Sequence, residues 1–181
     1  NLDGDVAGIF AGNWITAWQA ATGLVDDIFG VVIREQADIV IASAGGYPKD
    51  INLYQSQKTI DNAVYAMKPG GVVVLLAEGP DITEPREFFD WFDHPSFLEL
   101  EKAVRANFLI SGWVAVRQLE FGRQGTIIMV TRKENIEFRA RAHVRCFAAT
   151  PRQDVEGKKG RLLKKTFCIC SRAIGFFRRG R

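Results

Sequence analysis

The chain has 181 residues, of which 47% are hydrophobic and 25% are charged. This length and balance are typical of one globular α/β domain with a sizeable core, or of one domain with an appendage. No apolar run reaches the roughly 20 residues that a membrane-spanning helix needs, so we expect no such helix in these residues. The first residues contain neither an initiator Met nor a signal-peptide core, so we expect a segment of a longer or processed polypeptide.

Charge divides the sequence into two parts. Residues 158–181 hold nine basic side chains and no acidic one, whereas residues 1–157 hold six more acidic than basic ones. A basic tail is typical of a nucleic-acid or anionic-surface contact, or of a solvated terminus, and we expect the latter here. We therefore predict a domain over residues 1–150, followed by a divergent or poorly ordered basic tail over residues 151–181.

Cysteine and histidine usage predicts no metal site. Cys146, Cys168 and Cys170 are too few and too late in the chain for a disulfide framework or a zinc site. A reduced, cytoplasmic protein is the simplest interpretation. The two histidines, His94 and His143, lie beside a proline and beside a predicted strand, and we expect both to be structural or surface residues.

The hydrophobic pattern predicts helices and strands in alternation. The predicted helices cover residues 13–29 (capped by Asn13 and stopped by Gly30), 51–67, 84–91, 96–106, 112–121 and 134–142. The predicted strands cover residues 37–42, 72–77, 126–131, 144–148 and 167–170. Continuous apolar strands separated by helices indicate an α/β fold, which we predict to be a doubly wound, mostly parallel open sheet with helices on both faces.

Residues 45–58 join the first long strand to the next helix. In an open parallel sheet, ligands bind at the carboxyl ends of the strands, where such connections lie. Two glycines and a helix start favour an anion there. Tyr54 and Lys58 are four residues apart, and Gln55 and Lys58 are three apart, so all three side chains can converge on one face of the helix.

The same residues also admit a purely structural interpretation. Asp50 or Asn52 can cap the helix, and Gln55 can complete a capping box with Asn52. Lys58 can then remain solvated. The residues alone leave both interpretations open.

The run ASAGGYPKDINLYQSQK at residues 42–58 closely resembles the C-terminal domain of the lactate racemase family. The short runs GIFAG at 8–12, DNA at 61–63, KPGG at 68–71 and LLAE at 75–78 also fit that family. The resemblance covers roughly residues 1–148. It is specific, because a long run of mixed polar type does not follow from helix and strand propensity.

The resemblance implies an enzyme of two domains with its active site between them. In that family, the N-terminal domain holds a nickel pincer nucleotide on a lysine, and a 2-hydroxy acid passes its C2 hydride to the pyridinium ring and receives it back on the other face. By this resemblance, Tyr54 packs near the ring, Gln55 hydrogen-bonds substrate or cofactor, and Lys58 pairs with the substrate carboxylate. Trp113 would correspond to a family tryptophan near the site.

The family's nickel ligand and its acid/base histidines belong to the N-terminal domain. We therefore expect this chain to contain no catalytic residue and no metal ligand, to hold no cofactor alone, and to be inactive in isolation. The implied partners are the N-terminal domain of the same protein and a small 2-hydroxy acid. Two other functions stay open: a non-catalytic module that binds small anions or nucleotides, and a nucleic-acid-associated protein that uses the basic tail.

Overall fold

The computed structural model describes residues 5–138 and three short segments at 145–148, 167–170 and 177–179. The helices are α1 (Trp14–Phe29), α2 (Leu53–Tyr65), α3 (Arg86–Asp90), α4 (Phe97–Ala106) and α5 (Ile110–Gln124), with 3-10 helices at Trp91–Asp93 and Lys133–Phe138. The strands are β1 (Val31–Ile33), β2 (Ala37–Ser43), β3 (Met67–Leu76), β4 (Thr126–Thr131), β5 (Arg145–Ala148), β6 (Phe167–Cys170) and β7 (Phe177–Arg179).

Five of the strands form one parallel sheet in the order β5-β4-β3-β2-β6, while β1 and β7 form a separate parallel pair. In the central three strands, Val40 pairs with Val73, which pairs with Ile127, and all three are buried. Helices α2 and α5 pack against these strands and against each other. The predicted α/β class, an open parallel sheet flanked by helices, is confirmed.

Helix α1 has the predicted ends. The Asn13 side chain accepts the backbone N–H of Ile15 at 3.0 Å, which satisfies a donor of the first turn. The helix stops at Gly30, where a Cβ would lie 2.2 Å from the carbonyl oxygen of Asp26. Any residue larger than glycine would collide with that backbone atom, so the glycine is required for the close approach.

The predicted end of the second helix was wrong. We expected KPGG at 68–71 to terminate a helix, but α2 ends at Tyr65 and β3 begins at Met67. Met67 already pairs with Ala37, and the register then shifts before Val72 pairs with Ile39. The extra residues form an irregularity in the strand, with Gly70 at a φ of 76°. The chain therefore reaches the sheet directly after the helix.

Other predicted elements differ in length. Helix α5 is longer than its prediction of 112–121, and α3 and α4 lie within theirs. A 3-10 helix at Lys133–Phe138 replaces the start of the predicted helix 134–142, because the Asn135 N–H bonds to the Arg132 carbonyl three residues back. The rest of that prediction, residues 139–142, lies outside the described residues. Strands β1 and β7 were not predicted, because each has only three residues and a hydrophobic period cannot be recognised over so short a segment.

The predicted basic tail over 151–181 falls mostly outside the described residues, and β6 and β7 are the parts of it that the structure places. The proposed boundary at residue 150 therefore stays a prediction. Within the described part of the chain, no helix is long and apolar enough to cross a membrane.

Candidate functional site

The loop from β2 to α2 turns sharply at the carboxyl edge of the sheet. Gly45 and Gly46 have φ values of 90° and 78°, in the left-handed region that favours glycine. The N–H of Gly45 donates to the Ser43 hydroxyl at 3.2 Å, and the N–H of Lys49 donates to the Gly46 carbonyl at 2.9 Å. These local bonds deliver the chain to the start of α2.

Asp50 anchors this loop to the segment that follows β3. Its side chain is buried, and Oδ2 accepts the N–H of Glu78 at 3.1 Å. Its carbonyl oxygen accepts the N–H of Gly79, and the carbonyl of Ile51 accepts the N–H of Asp81, both at 2.9 Å. Asp50 is therefore not the helix cap that the sequence left possible. It joins two loops at the same edge of the sheet.

Asn52 is the cap of α2. Its Oδ1 accepts the N–H of Gln55 at 2.8 Å, and the first turn of the helix contains no acidic residue. The positive end of the helix dipole is therefore not neutralised by a carboxylate within the first turn. This arrangement favours an anion at the start of α2.

The three residues predicted on one face of α2 lie in its first two turns. Lys58 is exposed, and its Nζ donates to Gln55 Oε1 at 2.7 Å. Tyr54 is half-buried, with its ring packed edge-on against Phe88 at a centroid distance of 5.4 Å. The structure thus brings Gln55 and Lys58 into contact and fixes Tyr54 beside them through a buried aromatic neighbour.

Trp113 lies one helix away from these three residues. It is on α5, is 49% exposed, and lines a groove of about 390 Å³ between α4 and α5. Phe97, Val104, Phe108 and Val116 supply the other apolar walls of that groove. Helix α5 reaches α2 through Arg117, which donates to Asp61 at 2.9 Å four residues further along. The role predicted for Trp113 stays a prediction.

The sequence interpretation missed a polar network at the same edge. Arg132 Nε donates to Glu78 Oε1 at 2.9 Å, and this hydrogen bond raises the pKa of the Arg132 guanidinium. Thr131 Oγ1 donates to the Glu78 carbonyl at 2.7 Å, and the Asn135 amide donates to the Gly79 carbonyl at 2.8 Å. A signal was available, because Glu78 and Arg132 come directly after predicted apolar strands, where ligand sites of parallel sheets lie.

The donors at this edge suit an anionic ligand better than a bare metal ion. Among the residues that the structure describes, no group of three or more His, Cys, Asp or Glu side chains is placed to hold a metal. Tyr54, Gln55 and Lys58 instead offer a phenol, an amide and an ammonium group. These groups hydrogen-bond to carboxylate or phosphate oxygens, and an aromatic ring can pack against a planar ligand.

Comparison with known proteins connects this geometry to one family. The model of a family described as the lactate racemase C-terminal domain matches residues 32–145, which include both β2 and the start of α2. The chain belongs to the lactate racemase family. The family predicted from residues 42–58 is therefore confirmed.

Individual relatives support the same assignment. The lactate racemase of Thermoanaerobacterium thermosaccharolyticum is 31% identical over 155 residues, covering 83% of this chain and 35% of the relative. The lactate racemase of Lactiplantibacillus plantarum is 32% identical over 101 residues, covering 49% of this chain and 24% of the relative. The chain therefore spans about a third or less of the length of these curated relatives.

A solved structure of the lactate racemase apoprotein from Thermoanaerobacterium thermosaccharolyticum has the same fold. It superposes with a TM-score of 0.72 at 25% sequence identity, covering 90% of this chain and 40% of the other. The family assignment and the α/β fold therefore rest on independent grounds, one on sequence and the other on backbone geometry.

Proposed function

We propose that this chain is the C-terminal part of a nickel-pincer-dependent 2-hydroxy-acid racemase or epimerase. It would supply substrate and cofactor contacts to an active site that it shares with an N-terminal domain. The observation that carries this proposal is the first two turns of α2, where Lys58 and Gln55 are in contact next to Tyr54 and the first turn holds no acidic residue. Lactate is the first substrate to test, because the matched relatives are named lactate racemases.

Lys58 is suited to hold the carboxylate of a 2-hydroxy acid. A lysine ammonium has three N–H donors, and one of them goes to Gln55 Oε1. The side chain is exposed in the second turn of α2, so its remaining donors are accessible to a ligand. A carboxylate bound there gains a charge-assisted hydrogen bond, which is stronger than a neutral one.

Gln55 has two functions in this arrangement. Its Oε1 holds the Lys58 ammonium in place, and its Nε2 amide remains a donor on the same face of α2. Because the backbone N–H of Gln55 is already taken by Asn52, the residue is fixed at its base. A hydroxyl or carboxylate oxygen of the substrate, or a polar atom of the cofactor, is its proposed partner.

Tyr54 is proposed to pack against the ring of the cofactor. Its position is set by the edge-on contact with Phe88, which is fully buried. The nickel pincer nucleotide, when bound, supplies the pyridinium that accepts the C2 hydride and returns it. Tyr54, Gln55 and Lys58 fit contacts to such a group and to its substrate, and the described residues provide no cage for the nickel itself.

Trp113 is proposed to close one side of the site. The half-exposed indole lies near the amino-terminal end of α5, and α2 and α5 both precede strands of one parallel sheet. The amino-terminal ends of both helices therefore point to the same edge of the sheet. A second domain that covers this edge would contact Tyr54 and Trp113 together.

The isolated chain should not interconvert D- and L-lactate, because its described residues supply ligand contacts but no acid/base pair. Addition of the N-terminal portion of the Thermoanaerobacterium enzyme, loaded with its cofactor, should restore racemisation, measured by chiral chromatography. The C-terminal portion of that enzyme is the positive control. Racemisation by the chain alone would contradict the proposal, as would failure with a partner that the control portion activates. Binding of lactate or phosphate by the chain, together with failure of the N-terminal portion to restore racemisation, would instead indicate a non-catalytic anion-binding module.

A further inference from the structure

Two buried polar side chains lie at and just after the end of β4, at the carboxyl edge of the sheet. Thr131 is the last residue of β4 and is 3% exposed, and Asn135 follows it in the 3-10 helix and is 6% exposed. Thr131 Oγ1 donates to the Glu78 carbonyl at 2.7 Å, and Asn135 Nδ2 donates to the Gly79 carbonyl at 2.8 Å. Asn135 Nδ2 also donates to Thr131 Oγ1 at 2.9 Å. Both side chains therefore hold the segment after β3, residues 78–81, which we call the connecting segment.

The connecting segment also holds the residues that precede α2. Asp50 Oδ2 accepts the N–H of Glu78 at 3.1 Å, and the Asp50 carbonyl accepts the N–H of Gly79 at 2.9 Å. The carbonyl of Ile51 accepts the N–H of Asp81, also at 2.9 Å. These bonds are made by the two residues directly before the helix cap. The start of α2 is therefore fixed to the segment that follows the neighbouring strand.

The connecting segment lies too close to Asn135 to move independently of it. Gly79 has a φ of 64°, in the left-handed region that favours glycine. A Cβ at this position would lie 3.0 Å from Asn135 Nδ2 and 3.3 Å from Thr131 Oγ1, which is closer than ordinary van der Waals contact. Buried polar networks whose members are hydrogen-bonded are rigid. A change at Asn135 should therefore shift the connecting segment, and with it the residues before α2.

Further hydrogen bonds lead from the residues before α2 to the candidate site. Asn52 Oδ1 accepts the N–H of Gln55 at 2.8 Å, which fixes the first turn of the helix. Gln55 Oε1 in turn accepts from the Lys58 ammonium at 2.7 Å. The position of the Lys58 ammonium therefore depends on side chains at the end of a different strand.

We propose that Asp50, Thr131 and Asn135 are positioning residues for the ligand contacts of α2. They touch neither substrate nor cofactor in this proposal, and they fix where Gln55 and Lys58 stand. The inference rests on the proposed function, in which Lys58 binds the substrate carboxylate. Because that carboxylate is bound in both the ground state and the transition state, a displaced Lys58 weakens substrate binding and raises KM. A residue that only stabilises the fold instead lowers the fraction of active protein, which lowers the apparent kcat at unchanged KM.

The test compares variants in the protein assembled from this chain and the cofactor-loaded N-terminal portion of the Thermoanaerobacterium enzyme. Asn135→Ala should raise the KM for lactate at least about fivefold and change kcat less than about twofold, because a small displacement of a ligand contact is costly. Asp50→Ala should raise KM about tenfold, since it removes the bond to the Glu78 N–H directly.

Asp50→Asn is the conservative variant that should rescue substrate binding. Its amide oxygen can still accept the N–H of Glu78. The other carboxylate oxygen of Asp50, Oδ1, is buried and has no hydrogen-bond partner among the described residues, so its replacement breaks no bond there. The KM of this variant should therefore stay within about threefold of the wild-type value.

Gln36→Ala is the matched control for Asn135→Ala. The Gln36 side-chain amide also donates to a backbone carbonyl, that of Tyr65 at 3.2 Å, but at the other end of α2. Its removal should leave KM within about twofold of the wild-type value, because the start of the helix is not affected.

Hydrogen exchange of the full chain gives a second readout, which needs no activity. Asn135→Ala should speed exchange of the Gln55 and Ser56 amides at least about fivefold, because both amides donate to Asn52 at the start of the helix. Gln36→Ala should leave the exchange of these two amides unchanged. Circular dichroism checks that each variant is folded, and Asn135→Ala decides the matter alone if Asp50→Ala is not.

Unchanged exchange of these two amides in Asn135→Ala would overturn the inference, as would a fall in kcat without a rise in KM. Equal KM values for Asp50→Asn and Asp50→Ala would also overturn it, because the hydrogen bond to Glu78 would then have no effect on substrate binding. If the wild-type assembly does not racemise lactate, the proposed function is contradicted. The exchange measurement then still decides whether these residues position the start of α2.

Discussion

Lys58→Ala should lower kcat/KM for racemisation of a 2-hydroxy acid about 100-fold in the protein assembled from both domains. The change removes a charge-assisted hydrogen bond to the substrate carboxylate, worth about 1.5–3 kcal/mol, which corresponds to roughly a 10- to 150-fold effect. It also releases Gln55, whose Oε1 accepts from the Lys58 ammonium at 2.7 Å. The measurement is the initial rate of enantiomer interconversion at several substrate concentrations.

Lys102→Ala is the matched control for this experiment. Lys102 is also an exposed lysine on a helix, and it pairs with Glu99 at 3.0 Å on α4. Exposed ion pairs of this type contribute about 0–1 kcal/mol, so neither activity nor folding should change appreciably. If Lys58→Ala and Lys102→Ala give the same kcat/KM, Lys58 does not hold the substrate.

Phe88→Ala should lower the free energy of unfolding by about 3–5 kcal/mol, the usual cost of deleting a buried aromatic ring. Phe88 is fully buried and packs edge-on against Phe89 and Phe92 at centroid distances of 4.9 and 5.1 Å. The same ring holds Tyr54, so the proposed site should lose activity in any fraction that stays folded. Urea unfolding of the isolated chain, followed by circular dichroism, measures the loss of stability.

Leu98→Ala provides the comparison for Phe88. Leu98 is a large apolar residue on α4, but it is 57% exposed, so its removal should cost less than about 0.5 kcal/mol. A loss below about 1 kcal/mol for Phe88→Ala would show that the aromatic cluster does not support the start of α2.

Local spacing is sufficient to predict which side chains of the candidate site lie close together. The three- and four-residue separations of Tyr54, Gln55 and Lys58 predict that they share one side of a helix, and Gln55 and Lys58 are indeed in contact. The cap of α1 is predictable for the same reason, because Asn13 acts on residues two and three positions later.

Contacts between distant residues were not predictable from the sequence. From the sequence, Asp50 and Asn52 were equally good candidates for the helix cap. The fold distinguishes them, because it brings the backbone N–H of Glu78, 28 residues after Asp50, to the Asp50 carboxylate. The pair formed by Glu78 and Arg132 joins residues 54 positions apart. Such pairings depend on strand order, which hydrophobic periodicity alone does not determine.

The strand β3 was predicted to start at residue 72, but it starts at Met67, and the proline and glycines between these positions caused the error. A KPGG run is typical of a helix end, but the same residues also accommodate an irregularity in a strand. The difference depends on Met67, which pairs with Ala37 across the sheet. The environment of Trp113 was missed for a related reason, since the groove around it forms only when α4 packs against α5.

The central claim is that the start of α2 receives the carboxylate of a 2-hydroxy acid. The most direct test is lysine-specific chemical labelling of the assembled two-domain protein, analysed by mass spectrometry with and without saturating lactate. We predict that lactate protects Lys58 from modification and leaves Lys102 unchanged. Equal labelling of Lys58 in the presence and absence of lactate, under conditions where the protein racemises it, would contradict the claim.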